Sequence, residues 1–278
     1  MIVFPNCKIN LGLNIVNRRR DGYHDLETVF YPVTGLYDCL EVTREVDASV
    51  NDYTLQQFGN SIDCETEKNL VVKAYRLLKK QFDNLHPIDI HLIKHIPSGA
   101  GLGGGSADAA FMLKLLNDLF ELQLSTKQLE HLAAQLGADC AFFIQNKPTF
   151  ATGIGDVFTP IDFSLRGYQI IIVKPNVFIS TKEAFANIQP KQPTECIVDI
   201  LKAPIQEWQH HLTNDFEASI FPQHPEIKDI KQQLYEKGAE YASMSGSGSS
   251  VFGLFSPNIN LPKLQFSKDC FVYKGVLL

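Results

Sequence analysis

The chain has 278 residues, of which 45% are apolar and 20% charged, with 18 glycines and 14 prolines. These values suit a folded chain of roughly two domains that buries about three quarters of its unfolded surface. They exclude disordered and collagen-like chains. The net charge of −6 gives no basic surplus to neutralise a nucleic-acid backbone, although backbone N–H groups and a few local cations can still hold a phosphate-bearing small ligand.

The six cysteines, Cys7, Cys39, Cys64, Cys140, Cys196 and Cys270, have neither CxxC nor zinc-ligand spacing. The best apolar run, Ile170–Val173, is strand-sized, and nothing near the start reads as a targeting segment. The cytoplasm is the expected compartment.

In chain order, Ile2–Phe4 reads as a short strand, and Ile9–Val16 and Leu26–Val33 as two strands joined by the polar turn Asn17–Gly22. Arg18–Arg20 would form its solvated tip. Leu70, Val71, Ala74, Leu77, Leu78 and Phe82 recur at three- and four-residue steps, predicting a helix over Glu67–Phe82 with Thr66 as N-cap. Alternating Ile88, Ile90 and Leu92 predict a strand, followed by a glycine-rich loop and a helix from Ser106 to Leu119. A further helix, Thr126–Leu136, opens on the capping-box spacing Ser125–Gln128 and ends at Gly137, a residue suited to a left-handed C-terminal position. Ala141–Ile144 reads as a strand, and Thr149–Leu165 as the junction between domains. Strands Gln169–Val173 and Val251–Phe255, with helices near Thr181–Asn187 and Glu226–Lys237, suggest a smaller α+β unit beyond it.

Five of the seven residues from Gly99 to Gly105 are glycine, more than a packing turn requires. Such a loop lets a ligand approach the backbone. Because it leads into a helix, whose first N–H groups and dipole favour an anion, it reads as a phosphate cradle. The P-loop pattern fails, since no lysine follows the glycines. A dinucleotide fingerprint, Gly99-x-Gly101-x-x-Gly104, is nominally present, but Lys94–Ser98 separate it from the strand and Glu121 is a poor ribose partner. An NAD-linked oxidoreductase is the alternative on this loop.

The segment Pro97-Ser-Gly-Ala-Gly-Leu-Gly-Gly-Gly-Ser-Ala107 resembles the ATP-binding motif of the GHMP small-molecule kinases. Cys7-Lys-Ile-Asn-Leu-Gly-Leu13 and Met244-Ser-Gly-Ser-Gly-Ser-Ser-Val-Phe-Gly253 resemble that family's first and third motifs, in the right order. Asp21-Gly-Tyr-His-Asp-Leu-Glu-Thr-Val-Phe30 and Gly137-Ala-Asp-Cys-Ala-Phe-Phe143 narrow the resemblance to the branch acting on a cytidine-diphosphate-linked methylerythritol. The sequence departs from the family's usual pattern at Cys7, commonly alanine, and at Ala141, commonly proline.

The resemblance implies a two-domain α/β (α+β) GHMP kinase fold. Residues 1–157 would form a ribosomal-protein-S5-like ATP-binding domain and residues 158–278 a ferredoxin-like domain, with the active site in the cleft between them. It implies transfer of the γ-phosphoryl group of ATP to the 2-hydroxyl of 4-diphosphocytidyl-2-C-methyl-D-erythritol, in non-mevalonate isoprenoid synthesis. Asp139 would accept the hydroxyl proton, and Lys8 would stabilise the developing charge. Pro97, Ser98, Gly99, Ala100, Gly101, Leu102, Gly103, Gly104, Gly105, Ser106 and Ala107 would bind ATP. Asn10, Tyr23, His24, Thr181 and Phe185 would bind the second substrate, with Tyr23 and His24 suited to a pyrimidine. Mg²⁺ is expected with the nucleotide, with no protein ligand assigned to it. The expected partner is the small-molecule substrate, with no nucleic acid or membrane, and the chain is expected to be a monomer or homodimer. A non-catalytic nucleotide sensor would not need both Lys8 and Asp139. The remaining histidines have no metal-ligand spacing.

Overall fold

The structure is a computed structural model that describes residues 1–44, 52–60, 64–83, 85–261, 263 and 266–278. The first half of the chain contributes strands β1 (Ile2–Val3), β2 (Asn6–Arg18), β3 (His24–Tyr37), β4 (Cys39–Arg44), β5 (Tyr53–Gly59) and β6 (Ile88–Lys94). Its helices are α1 (Leu70–Lys79), α2 (Gly104–Leu119), α3 (Thr126–Leu136) and α4 (Phe142–Gln145). The second half contributes β7 (Thr149–Thr152), β8 (Val157–Pro160), β9 (Gln169–Lys174), β10 (Tyr241–Met244), β11 (Val251–Phe255) and β12 (Phe271–Val276). With them come α5 (Thr181–Phe185), α6 (Ile197–Ile200), α7 (Trp208–His211), α8 (Phe216–Ile220) and α9 (Pro225–Glu236).

Two compact units interleave along the chain. Unit 1 comprises Met1–Cys7, Leu36–Ser98 and Gly103–Asn146; unit 2 comprises Lys8–Gly35, Gly99–Leu102 and Lys147–Leu278.

Unit 1 carries a sheet ordered β1-β4-β6-β5, antiparallel except for the parallel β5–β6 pair. In β6, Ile88, Ile90 and Leu92 are buried, alternating with Asp89, His91 and Ile93. Each buried aliphatic side chain contributes roughly 1.5–3 kcal/mol. The same two-residue period turns Lys94 inward, where it too is buried. Helix α2 buries Ala107, Ala109, Ala110, Met112, Leu113, Leu115 and Leu116 and packs against α1, α3 and α4.

Unit 2 holds a sheet ordered β2-β3-β7-β8 and a second, antiparallel sheet ordered β10-β11-β9-β12. Ile170–Val173 of β9 are fully buried between β11 and β12, which explains the uninterrupted apolar run. The core joins Leu13 and Ile15 of β2 to Ile171, Val173, Phe216, Ile227, Leu234, Val251 and Phe255.

Several sequence expectations need correction. The helix expected from Glu67 starts at Leu70, because Asn69 rather than Thr66 is the N-cap, its side chain accepting from the Val71 N–H. Gly137 is extended (φ 169°), not left-handed, because the chain passes straight into the 3-10 turn Ala138–Cys140. Residues 142–145 form one helical turn rather than a strand, ended by Asn146 in the left-handed conformation (φ 55°). A four-residue apolar run has no period to separate the two states. The stretch Thr149–Leu165 is not a bare junction: it contains the β7–β8 hairpin, antiparallel from Thr149↔Pro160 to Thr152↔Val157.

Candidate active site

In unit 2 the three resembling motifs meet at one backbone carbonyl. The Lys8 ammonium donates to Asn10 Oδ1 at 2.6 Å and to the Gly101 carbonyl at 3.1 Å, and lies 4.9 Å from the Phe30 ring centroid. Asn10 Nδ2 donates to Thr28 Oγ1 at 3.0 Å, which fixes the amide so that its oxygen faces the ammonium. The Ser245 hydroxyl also donates to the Gly101 carbonyl, at 2.9 Å. Backbone bonds from Lys8 N to the Leu102 carbonyl (3.0 Å) and from Ser250 N to the Ala100 carbonyl (3.2 Å) bind the loop on both sides. A Cβ on Gly101 (φ +74°) would stand 2.0 Å from the Ser245 carbonyl oxygen, so only glycine permits this approach.

Sequence reasoning missed three of these anchors. Thr28 and Ser245 lie inside runs already singled out, but nothing in their type marked them. Asn214 lies in none of the runs; its Nδ2 donates to the carbonyls of Met244 and Gly246 at 2.8 and 2.9 Å and holds the third motif in place.

Along the loop, Ser98 and Gly99 are exposed, Pro97 is half-buried, and Ala100 and Leu102 bury their side chains. The last two therefore anchor the loop and offer a ligand only backbone. In unit 1, Gly103 is the left-handed N-cap of α2 (φ 71°), without a side-chain cap or an acidic residue in the first helical turn. Gly104, Gly105 and Ser106 supply that turn's N–H groups, which have no intrahelical acceptors and favour an anion. Ala107 closes the turn by donating to the Gly103 carbonyl at 2.8 Å.

Asp139 is half-buried in the 3-10 turn between α3 and α4. Its neighbour Cys140 is hydrogen-bonded to Ser106 in the first turn of α2, and burial pushes the Cys140 thiol up to about 11. This contact fixes the Asp139 turn against the start of α2.

Beyond Asn10, the substrate candidates divide into a stacked pair and two separate positions. His24 stacks on Phe185, with centroids 4.7 Å apart and planes 20° apart, and Phe185 meets Phe216 edge-on at 4.8 Å. Burial, and then Arg18, hold the His24 imidazolium below its ordinary range. Tyr23 is 61% exposed on the β2–β3 turn, where its N–H donates to Asp21 Oδ1 at 3.0 Å. Thr181 is exposed at the first position of α5. Among the described residues no His, Cys, Asp or Glu side chains cluster as a metal cage. His211 and His224 are instead bound to Glu195 and Glu183.

Residues 69–147 match the family described as GHMP kinases N terminal domain, and residues 197–264 match GHMP kinases C terminal. A 4-diphosphocytidyl-2-C-methyl-D-erythritol kinase of Bacteroides thetaiotaomicron is 61% identical over 277 residues, covering 100% of both chains. Its counterpart in Parabacteroides distasonis is 50% identical over 278 residues, again covering both chains completely. A crystal structure of 4-(cytidine 5'-diphospho)-2C-methyl-D-erythritol kinase superimposes with a TM-score of 0.79 at 31% identity, covering 91% of this chain and 90% of that one. The mevalonate kinase of Methanococcus jannaschii, 13% identical with a TM-score of 0.70 over 100% of this chain and 98% of its own, shares the fold. The chain belongs to the GHMP kinases and, within them, to the 4-diphosphocytidyl-2-C-methyl-D-erythritol kinase family.

Proposed function

We propose that the protein transfers the γ-phosphoryl group of ATP to the 2-hydroxyl of 4-diphosphocytidyl-2-C-methyl-D-erythritol, giving the 2-phosphate and ADP. The observation that carries this reading is the meeting of Lys8, Asn10 and Ser245 at Gly101, because it ties the glycine-rich loop to a cation and to both other motifs. The transferred group needs in-line positioning and charge stabilisation more than covalent help.

In this reading the substrate 2-hydroxyl attacks the γ-phosphorus and gives its proton to the Asp139 carboxylate, while the bond to the ADP oxygen breaks. Lys8, oriented by Asn10, stabilises the charge that develops on the transferring oxygens. Pro97–Ala107 bind the nucleotide phosphates, with the free N–H groups of the first α2 turn as donors. The cytosine ring stacks against Tyr23 and the His24–Phe185 pair, with Thr181 as a polar contact.

Mg²⁺ accompanies the nucleotide and neutralises its phosphate charge; a cation carried on phosphates needs few protein ligands. The proposed division falls at 157/158, between the matched family regions. This is a division of family halves rather than of packing, since unit 2 also takes in Lys8–Gly35 and Gly99–Leu102. The same reading has the enzyme working in the cytoplasm as a monomer or homodimer. A turnover assay with ATP and the cytidyl substrate, scored for both ADP and the 2-phosphate, tests the proposal. Folded protein that forms no 2-phosphate overturns it.

A further inference from the structure

Beneath the start of α2, unit 1 buries three charged side chains that the proposed chemistry does not use. Lys94, at the end of β6, donates to Asp38, between β3 and β4, and to Asp108 Oδ2 at 2.5 Å. All three are at most 3% exposed. The two carboxylates hold opposite ends of the glycine-rich segment. Asp38 Oδ1 accepts from the N–H groups of His95 and Ile96, at 2.6 and 2.8 Å, where the chain enters. Asp108 lies one helical turn beyond Gly104, where the chain leaves. A Cβ on Gly104 would reach 2.8 Å from the Ile96 side chain and 3.5 Å from the Lys94 nitrogen, so the ammonium sits directly under the first helical residue.

The two carboxylates are not equally satisfied. Asp38 accepts two N–H groups and the ammonium, whereas among the described residues Asp108 Oδ1 is buried with no hydrogen-bond partner. With both ionised, one ammonium faces two carboxylates, leaving a net negative charge buried below the anion-binding end of α2. An anion bound at that turn repels this charge, so it favours the state in which Asp108 holds a proton.

We infer that Lys94, Asp38 and Asp108 form a clasp that positions the phosphate-binding turn, and that nucleotide binding is coupled to uptake of a proton by Asp108. The inference rests on the proposed role of that turn in binding phosphate. Burial, followed by the opposed effects of Lys94 and Asp38, raises the Asp108 carboxyl to about 7, within reach of ordinary assay conditions.

Among the described residues, the charges that act on Asp108 are Lys94 from β6 and Asp38 from the β3–β4 junction. Among the elements packed on α2, α1 buries Val71, Ala74 and Leu78, and its Tyr75 hydroxyl donates to the Asp52 carbonyl. Helix α3 buries Leu129, Leu132 and Ala133, and α4 buries Phe142, Phe143 and Ile144. Strand β1 brings Ile2 and Val3, and β4 buries Leu40 and Val42. The 3-10 turn brings Asp139 and Cys140 to the Ser106 end of the helix.

The sign follows from linkage. If the bound nucleotide raises the Asp108 pKa further, the protein takes up a proton on binding near and above pH 7. By reciprocity, affinity weakens as pH rises through that range. One unit of displacement is a tenfold change in affinity, so the dissociation constant of MgADP should rise roughly three- to tenfold between pH 6.5 and 9.

Calorimetric titration of the full chain with MgADP, in buffers of different ionisation enthalpy, reads both quantities. At pH 8 the wild type should take up a fraction of a proton. Asp108→Asn should take up none, and its affinity should be flat with pH at the wild-type low-pH value. A purely structural Asp108 would lower the melting temperature in that variant and leave the proton count as in the wild type, which overturns the inference. So does a wild-type affinity that is flat with pH with no proton taken up. Absence of any MgADP binding overturns the nucleotide reading of the turn together with the inference. Should Asp108→Asn fail to fold, the ¹³C resonance of the wild-type Asp108 carboxyl decides. It must titrate near neutrality alone and at higher pH with MgADP; an unmoved midpoint sinks the coupling.

Discussion

Lys8 and Lys94 are buried to the same degree, each 3% exposed, and each is held by groups of its own unit. In unit 1 Lys94 meets two carboxylates, Asp38 and Asp108. In unit 2 Lys8 is gripped by the neutral oxygens of Asn10 and Gly101 and lies over the Phe30 ring. Taking an ammonium out of water costs several kcal/mol, which the surroundings must offset. Lys94 is offset by opposite charge and thereby ties strand to helix. Within unit 2 Lys8 is oriented by the dipoles of Asn10 and the Gly101 carbonyl, the kind of preorganisation that aims a charge at a reacting group. Under the proposed function, Lys94 is charge used for architecture and Lys8 charge used for chemistry.

The largest expected effects lie on the chemical side. Lys8→Met and Asp139→Asn should each lower kcat by roughly 10²–10⁴-fold, the range for a positioned acid, base or charge stabiliser. Substrate KM and melting temperature should move little, because the lost interaction is one made in the transition state. Kinetics and thermal unfolding on the same samples check this. A stable, fully active Asp139→Asn enzyme would mean that Asp139 is only a turn residue.

Lys94→Met tests the architectural side. It strands two buried carboxylates and should destabilise the fold by roughly 3–5 kcal/mol, read as a fall in the urea midpoint at neutral pH. A loss below about 1 kcal/mol, the scale of surface pairs, would show that the clasp does not hold the segment. The two lysines would then no longer divide by role.

Tyr23→Ala should show a smaller effect on the chemical side. If the exposed ring stacks on cytosine, its loss costs about 1–3 kcal/mol in binding the cytidyl substrate. ATP affinity and stability should stay unchanged, since the ring supports no core. Equal losses for both ligands would assign Tyr23 to another subsite.

The sequence exposed Lys8 more readily than Lys94, for physical reasons. Lys8 belongs to a run whose resemblance names its role. Lys94 drew no such reading, although strand period could have marked it: it follows Ile88, Ile90 and Leu92 on the inward face, and a charge at an inward position is the informative observation. Asp108 falls among the buried alanines and leucines of α2 in the same way. Long periodic elements such as α2 and α3 were legible because apolar spacing repeats over several turns, joined in α3 by the capping box at Ser125. Residues 142–145, Asn214 and the β7–β8 hairpin were not, because tertiary contacts decide short segments and lone polar residues. The meeting of motifs at Gly101 depends on carbonyl positions, which no residue type encodes.

The smallest expected effect separates scaffold from chemistry along a single stretch of chain. Helix α3 runs from Thr126 to Leu136 and leads through Gly137 into the turn that carries Asp139. At its far end Ser125 and Gln128 form a reciprocal capping box, the Ser125 hydroxyl accepting from the Gln128 N–H and the Gln128 side chain accepting from the Ser125 N–H. Ser125→Ala leaves a first-turn donor without this acceptor and should cost about 1 kcal/mol of stability. The lesion lies at the opposite end of the helix from Asp139, while the turn itself is held by the Cys140–Ser106 contact. Stability should therefore fall with kcat and both KM values unchanged. If kcat falls in step with stability, the Asp139 turn takes its position from the whole of α3. The division between structural and chemical charge would then need redrawing to include the helix.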